Sequence, residues 1–441
     1  MEIKITEDIA AIFERFASSD YEAFLVGGCV RDALMGLTPH DYDFTTNATP
    51  QQVHEVFSDY HIIDTGIKHG TVTLMVNHEP YEITTYRKET GYDDHRHPNS
   101  VSYSQTLYED LVRRDFTINA MAYSPESGLV DYFGGVSDLN NGILRCVGVP
   151  DERFEEDALR ILRALRFAGR LNLKIEEETE KALFSKAGLL RYVSVERIAA
   201  EFNEILCYEN AEYYLDRYRD IIAVFLPEIT VMFDFDHNSR YHCYDIWHHT
   251  LKVVENVPQE PIIRWTALLH DSGKPVVAQE GKDGHLHYIG HAEQSYRIAT
   301  EVMERLHYDN KTSKAVCQLV REHDYIFNND GKIRMLLSKY DLEFVTRLIQ
   351  LQRADNLAHA PEFIRDDAIY DELLRKAEEF SHDILHLSDL RIDGNDLKEI
   401  GITGPSIGYC LDRAFKMVLQ GKIANQREEL LKYVSSLKLS K

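Results

Sequence analysis

Long apolar runs are missing from this chain of 441 residues. No window approaches the roughly 18 consecutive apolar residues of a membrane helix, so a helical membrane protein is excluded. An excess of basic charge is also missing. There are 49 Lys and Arg against 73 Asp and Glu, a net charge of −24, which excludes a protein that coats nucleic acid through its overall charge. Any RNA-binding surface must then gather its cations on one face. Cysteine is scarce: six residues (Cys29, Cys146, Cys207, Cys243, Cys317, Cys410) lie scattered with no CxxC pair. They fit buried thiols in a reducing cytoplasm better than a disulfide framework. The opening MEIKITEDIAAIFERF is amphipathic and acidic, with no apolar centre or cleavage site of a secretory signal. Internal repeats and low-complexity tracts are absent too. The expectation is a cytoplasmic protein of two to about four domains, with neither membrane nor DNA as partner.

What is present divides by periodicity. Residues 1–147 mix strands and helices: Glu22–Val26, Asp41–Thr45, Gly70–Val76 and Tyr81–Tyr86 read as strands, and Cys29–Met35 as a short helix. From Asp151 the pattern is helical, with a break at Phe225-Leu226-Pro227 and a Gly-rich turn at Gly401–Gly408.

The segment Leu25–Asp43 (LVGGCVRDALMGLTPHDYD) carries the first chemistry. A strand running into Gly27-Gly28 and then a helix exposes backbone N–H groups at a positive helix end, where phosphate can bind. In a strand, Asp41 and Asp43 share a face. Two close carboxylates repel unless a cation lies between them, and hard oxygen ligands suit Mg²⁺ together with substrate phosphates. Such an arrangement activates an attacking hydroxyl and stabilises leaving pyrophosphate. A third carboxylate would help; Glu82 on the strand Tyr81–Tyr86 and Asp110 are the two candidates. Further on, Asp157, Arg160, Arg163 and Arg166 recur every third residue of a helix read over Glu156–Arg170, giving an arginine strip with one carboxylate near its start.

These motifs, followed by DLVRRDFTINAMA (Asp110–Ala122), DYFGGVSDLNNGILR (Asp131–Arg145) and EEDALRILRALRF (Glu155–Phe167), resemble the bacterial-type (class II) tRNA nucleotidyltransferase and poly(A) polymerase family over roughly residues 20–210. The resemblance implies that Gly28, Arg31 and Arg114 contact the triphosphate. It implies that Asp41 and Asp43 hold Mg²⁺, and that Asn119 supports the sugar or its turn. It also implies that Asp157 and Arg160 read the base edge of CTP or ATP, and that Arg163 and Arg166 meet phosphate or tRNA backbone. An Asp only accepts and an Arg only donates, so a base edge can be read without a nucleic acid template. Gly134-Gly135 resembles the family's flexible loop.

A second constellation follows: His249 in YDIWHHTLKVV, His270-Asp271 in ALLHDSGKP, and Asp355 in RADN. Their order resembles the HD phosphohydrolase superfamily. Imidazoles mixed with carboxylates suit Ni²⁺, Mn²⁺ or Fe²⁺ better than Mg²⁺, and a bound metal activates water for phosphoester hydrolysis. His291 and His323 are candidates for a second metal site, and Lys274 for a phosphate contact. The resemblance implies phosphatase, 2′-nucleotidase or 2′,3′-cyclic phosphodiesterase activity. Residues from Leu387 to Val434 look like the tRNA-binding tail of some relatives, with Gly401–Gly408 suited to a phosphate contact.

The expected fold is α+β: a small mixed-sheet nucleotidyltransferase head (1–147), then an all-helical neck with base recognition (148–230), an HD domain (231–360) and a tRNA-binding tail (361–441). The expected activity is addition of C, C and A to the tRNA 3′ end from CTP and ATP. An A-adding enzyme or a poly(A) polymerase shares the head motifs, and an HD phosphohydrolase with an inactive head is the reading of another class.

Overall fold

A computed structural model describes residue 3 and residues 5–90, 100–383 and 386–437. Residues 1, 2 and 4 of the amphipathic opening lie outside the described residues. The chain divides into two compact units, Met1–Ile205 with Tyr218–Phe225, and Leu206–Arg217 with Leu226–Lys441.

The first unit is built on a seven-stranded sheet. Across it the strands run His61–Ile63, Thr71–Val76, Glu79–Thr85, Asp43–Thr46, Ala23–Val26, Met121–Ser124 and Gly128–Asp131. Only the central pairing of Asp43–Thr46 with Glu79–Thr85 is parallel, so the sheet is mixed, as expected. The strand Thr71–Val76 alternates half-buried and buried residues along its length, the pattern of a strand with one face in the core. The helix Glu7–Ser18, started by Thr6 accepting from the Ile9 N–H, buries Ile9, Ile12, Phe13 and Phe16. That three-and-four spacing is one apolar stripe. Phe13 meets Phe44 of the sheet edge-on at 5.2 Å between ring centres.

Several sequence readings shift here. The strand read over Asp41–Thr45 begins at Asp43, leaving Asp41 ahead of the ladder. The helix read over Glu156–Arg170 is two helices, Pro150–Glu156 and Arg160–Leu171. Between them Asp157 is extended (φ −140°, ψ 102°), so it does not share a helical strip with the arginines. Its own carboxylate favours the break by accepting from the Leu159 N–H at 3.1 Å. Gly134-Gly135, the stretch that resembles the family's flexible loop, starts the helix Gly135–Asn140. Asp131 accepts from the Gly135 and Val136 N–H groups, both at 2.9 Å. A Cβ on Gly135 would lie 2.2 Å from the Thr117 carbonyl oxygen.

Among the described residues, the second unit is helical apart from the short ladder of Gln279–Glu280 with Leu286–His287. Its centre is the helices Ile246–Asn256, Pro261–Leu269, Asn310–Glu322 and Leu342–Leu357, with Trp247 and Trp265 fully buried. In the tail, the Gly-rich turn ends sooner than its composition suggests. Gly401 and Gly404 take positive φ, and the helix Ser406–Leu419 absorbs Gly408.

Phe44 is 1% exposed at the centre of the head core. Replacing it with Ala is expected to cost about 3–5 kcal/mol in chemical denaturation followed by circular dichroism.

Candidate functional site

In the first unit, register brings the acids together. Asp43 and Glu82 are direct partners across the parallel pair, and such neighbours project to the same face. Asp43 is held above the ordinary carboxylate range by loss of hydration and by the like charges of Glu82 and Asp41, with Arg114 opposing. Asp110, the other candidate third acid, is fully buried and already engaged. It accepts from Thr45 Oγ1 at 3.1 Å and Arg113 Nη2 at 2.6 Å, with Arg114 Nη2 at 3.4 Å. That leaves Glu82, whose side chain is exposed, as the acid facing Asp43.

Gly27 makes the turn before the helix Gly28–Leu34 with φ 75° and ψ −132°, a region that only glycine enters easily. Its missing side chain also admits the Arg114 guanidinium, 3.0 Å from where a Cβ would stand. Arg31 is buried, bound to Asp32 Oδ1 at 2.8 Å and to Asn119 Oδ1 at 2.6 Å. Asn119 in turn donates to Asp115 Oδ1 at 3.1 Å, and Asp115 Oδ2 accepts from Arg163 Nε and Nη2 at 2.9 and 2.7 Å. Arg166 pairs with Glu201 at 2.7 Å. Arg31, Arg163 and Arg166 all lie over the Phe167 ring, at 5.3, 5.2 and 4.5 Å. Arg160 donates to Glu156, to the Arg153 carbonyl and to the Arg113 carbonyl.

Asp43, Arg31, Arg114, Asp157 and Arg160 line one cavity of about 440 Å³. Residues that sequence reasoning passed over stand beside them: Asp115, Arg170 and Arg197. Arg170 continues the arginine spacing by one turn and was legible for that reason. Asp115 and Arg197 carry no motif signal of their own. Burial pushes Asp115 up, but Arg163 and Asn119 overcome this and hold it at about 2.

The second unit gathers the histidines. His249 lies within Ile246–Asn256, His270-Asp271 directly follows Pro261–Leu269, His291 starts one helix, His323 caps another, and Asp355 lies in the last turn of Leu342–Leu357. Ligand atoms of His249, His270, Asp271 and Asp355 fall within 4.8 Å of one another, as do those of Asp271, His291 and His323. Among the described residues no other group of three does so, and the head acids are not drawn together as tightly. Each of the four imidazoles turns Nδ1 to a backbone carbonyl: Ala358 at 3.3 Å, Ala267 at 2.7 Å, Tyr288 at 2.9 Å and Val320 at 2.7 Å. A carbonyl only accepts, so Nδ1 carries a proton and Nε2 faces inward, where it can donate its lone pair to a cation once any proton on it is displaced. Asp271 faces both groups. Its Oδ2 is 3.3 Å from His270 Nε2, and its Oδ1 is 3.5 Å from His291 Nε2. Burial would lower His270, but Asp271 and Asp355 push it up to about 10, the response of a negatively charged cavity that wants a cation. Lys274 Nζ reaches Asp271 Oδ2 at 2.6 Å and His237 Nε2 at 3.3 Å. The cavity is about 250 Å³.

Paired sheet acids beside a glycine turn and an arginine-lined cavity define a nucleotidyltransferase head. Residues 23–145 match the poly A polymerase head domain, 172–233 the probable RNA and SrmB-binding site of polymerase A, and 286–434 tRNA nucleotidyltransferase domain 2. The CCA-adding enzyme of Staphylococcus aureus (strain bovine RF122 / ET3-1) is 30% identical over 443 residues, 99% of each chain. That of Lactobacillus helveticus (strain DPC 4571) is 50% identical over 191 residues, 43% of this chain and 47% of that one. The crystal structure of the Bacillus stearothermophilus CCA-adding enzyme in complex with CTP superposes with a TM-score of 0.74 at 26% identity, covering 97% of this chain and 96% of that one. The chain belongs to the CCA-adding enzyme family.

Asp115 yields a test. Its folded pKa of about 2 lies below the value of about 4 for an unfolded chain. The stability it contributes is therefore present above pH ~4 and lost as pH falls towards 2. Asp115→Asn is expected to cost about 1–3 kcal/mol near pH 6, since Arg163 is partly solvated. The difference from the unmodified protein should shrink in denaturation runs at successively lower pH.

Proposed function

We propose that this chain adds C, C and A in turn to the 3′ end of tRNA, from CTP and ATP. The observation that carries the reading is the register-matched pair Asp43 and Glu82 beside the arginine cavity. Three carboxylates that raise the pKa of one of their number fit a hard divalent cation, and two of them with substrate phosphates suffice for Mg²⁺. Asp41, Asp43 and Glu82 would hold it. When bound, Mg²⁺ lowers the barrier to attack by the tRNA 3′-hydroxyl and stabilises the leaving pyrophosphate.

The chain's own part is positioning. The attacking 3′ oxygen forms a bond to the α-phosphorus as the bond from that phosphorus to the bridging oxygen of pyrophosphate breaks. Gly28, Arg31 and Arg114 hold the triphosphate in line, and Asp157 and Arg160 orient the base. Arg163 and Arg166 are held by Asp115 and Glu201, so their first role is to shape the cavity, with Arg170 and the outer faces of these guanidiniums available to RNA. The expected result is that C, C and then A are incorporated into tRNA lacking its end, with termination. Addition of A alone to CC-ending tRNA would mean an A-adding enzyme, and long A tails a poly(A) polymerase. Asp43→Ala should lower incorporation at least about a thousandfold.

The inward-facing imidazoles favour a second reading, for the second unit: a metal-dependent phosphohydrolase of the HD type. His249, His270, Asp271 and Asp355 would hold one transition metal ion such as Ni²⁺, Mn²⁺ or Fe²⁺, and Asp271, His291 and His323 a second. Four neutral nitrogen donors with two carboxylates fit such ions. A bound ion supplies an activated water for phosphoester hydrolysis. The orienting carbonyls fix the imidazoles, and Lys274, held between Asp271 and His237, presents positive charge to a phosphoryl group. With Ni²⁺ added, hydrolysis of bis-p-nitrophenyl phosphate or 2′,3′-cyclic AMP is expected. Asp271→Asn should abolish it while leaving CTP incorporation intact. No hydrolysis by the unmodified protein with any of the three metals would reject this reading alone.

A further inference from the structure

We infer that Arg197 is a positioning residue that sets which bases the cavity accepts, by leaving Asp157 a single free acceptor position. The inference rests on the reading that Asp157 meets the base edge. Asp157 stands in the break between two helices, where the Leu159 N–H is the backbone group that holds its side chain. A carboxyl group turns easily about its last torsion. Arg197, from the helix Val195–Leu206, removes that freedom. Its Nη2 donates to Asp157 Oδ2 at 3.0 Å and its Nη1 to Oδ1 at 3.4 Å, so the two planar groups meet as a fork on a fork. Both residues line the arginine cavity.

An ionised carboxylate offers about four acceptor positions. The Leu159 N–H and one Arg197 donor occupy Oδ1, and the other Arg197 donor occupies one side of Oδ2. One position on Oδ2 is left. Cytosine and adenine present an exocyclic amino donor, at N4 and N6, whereas the corresponding groups of guanine and a uracil-type base are acceptor oxygens. A fixed lone acceptor therefore admits the two bases that carry a donor there, and it opposes the two that carry an oxygen, because two acceptors meet without a proton between them. Arg160 is fixed independently, by Glu156 and the carbonyls of Arg153 and Arg113, so the pair acts as one rigid template. Without Arg197 the carboxylate is held by the Leu159 N–H, and it can then turn about that one bond and move its charge away from a mismatched oxygen. The loss is then of discrimination first and of rate second.

The test uses the full chain carrying Arg197→Lys or Arg197→Gln, with tRNA lacking its CCA end and with CTP or UTP supplied singly. Lysine retains the charge but not the planar fork. Both variants are expected to raise kcat/KM for UTP relative to CTP about tenfold, with KM for CTP also raised and kcat at saturating CTP within about threefold of the unmodified protein. A variant that is folded by circular dichroism and discriminates as well as the unmodified chain overturns the inference. So does an equal loss for both nucleotides, which marks a merely structural role, and so does full restoration of the ratio by lysine, which shows that charge without the fork suffices. An unmodified protein that incorporates neither C nor A overturns the reading beneath it.

Discussion

One buried carboxylate, Asp115, holds the nucleotide cavity in shape. It is 7% exposed and accepts from Asn119 on one oxygen and from Arg163 on the other. Through Asn119 it fixes Arg31 beside the glycine turn, and through Arg163 it fixes the helix Arg160–Leu171. A cavity lined by this many guanidiniums would otherwise spread apart by repulsion, since each arginine remains charged at any pH the protein meets. Asp115, Glu201 and the Phe167 ring neutralise and space them. The cost of burying Asp115 is offset only because both its oxygens are satisfied, and removing either partner would leave a buried charge.

The sequence displayed most of the chemistry and little of the scaffolding. Periodicity found the strands at Ala23–Val26, Thr71–Val76 and Glu79–Thr85 to within two residues, because each alternates or ends in a turn signal. The acids of the head were legible from spacing, but the choice between Glu82 and Asp110 as the third was not. Asp43 meets Glu82 through a parallel pairing between segments nearly forty residues apart, and register of that kind leaves no local trace. The helix over Glu156–Arg170 was misread for a related reason. Ala158, Leu159, Arg160 and Leu162 have good helical propensity, and the break depends on what the Asp157 side chain can bind. Gly134-Gly135 was read only through its resemblance to a family loop; that Gly135 answers a close approach to Thr117 has no local signal.

The histidines show the opposite balance. Their identities were readable from the order of His, His-Asp and Asp, yet their fitness for metal depends on four backbone carbonyls. Three of those carbonyls belong to the residue three positions earlier in the chain, so the constraint is local: a histidine at either end of a helix finds a carbonyl within reach. His249 sits inside its helix, where the carbonyls are used, and borrows one from Ala358 instead. The result is the same ring orientation at every position, Nδ1 on a carbonyl and Nε2 inward.

The two constellations thus handle charge in opposite ways. In the head, excess positive charge is stored in arginines that neutralise one another's repulsion through a few buried acids, leaving a cavity suited to a polyanion. In the second unit, buried negative charge faces imidazoles, and His270 takes up a proton readily because Lys274 answers Asp271 on one side only and Asp355 lies close by. A cation would displace that proton, since ligands must be unprotonated to bind metal. A net charge of −24 hides both arrangements, because what each site can bind is decided by the few charges that burial has isolated from water and salt.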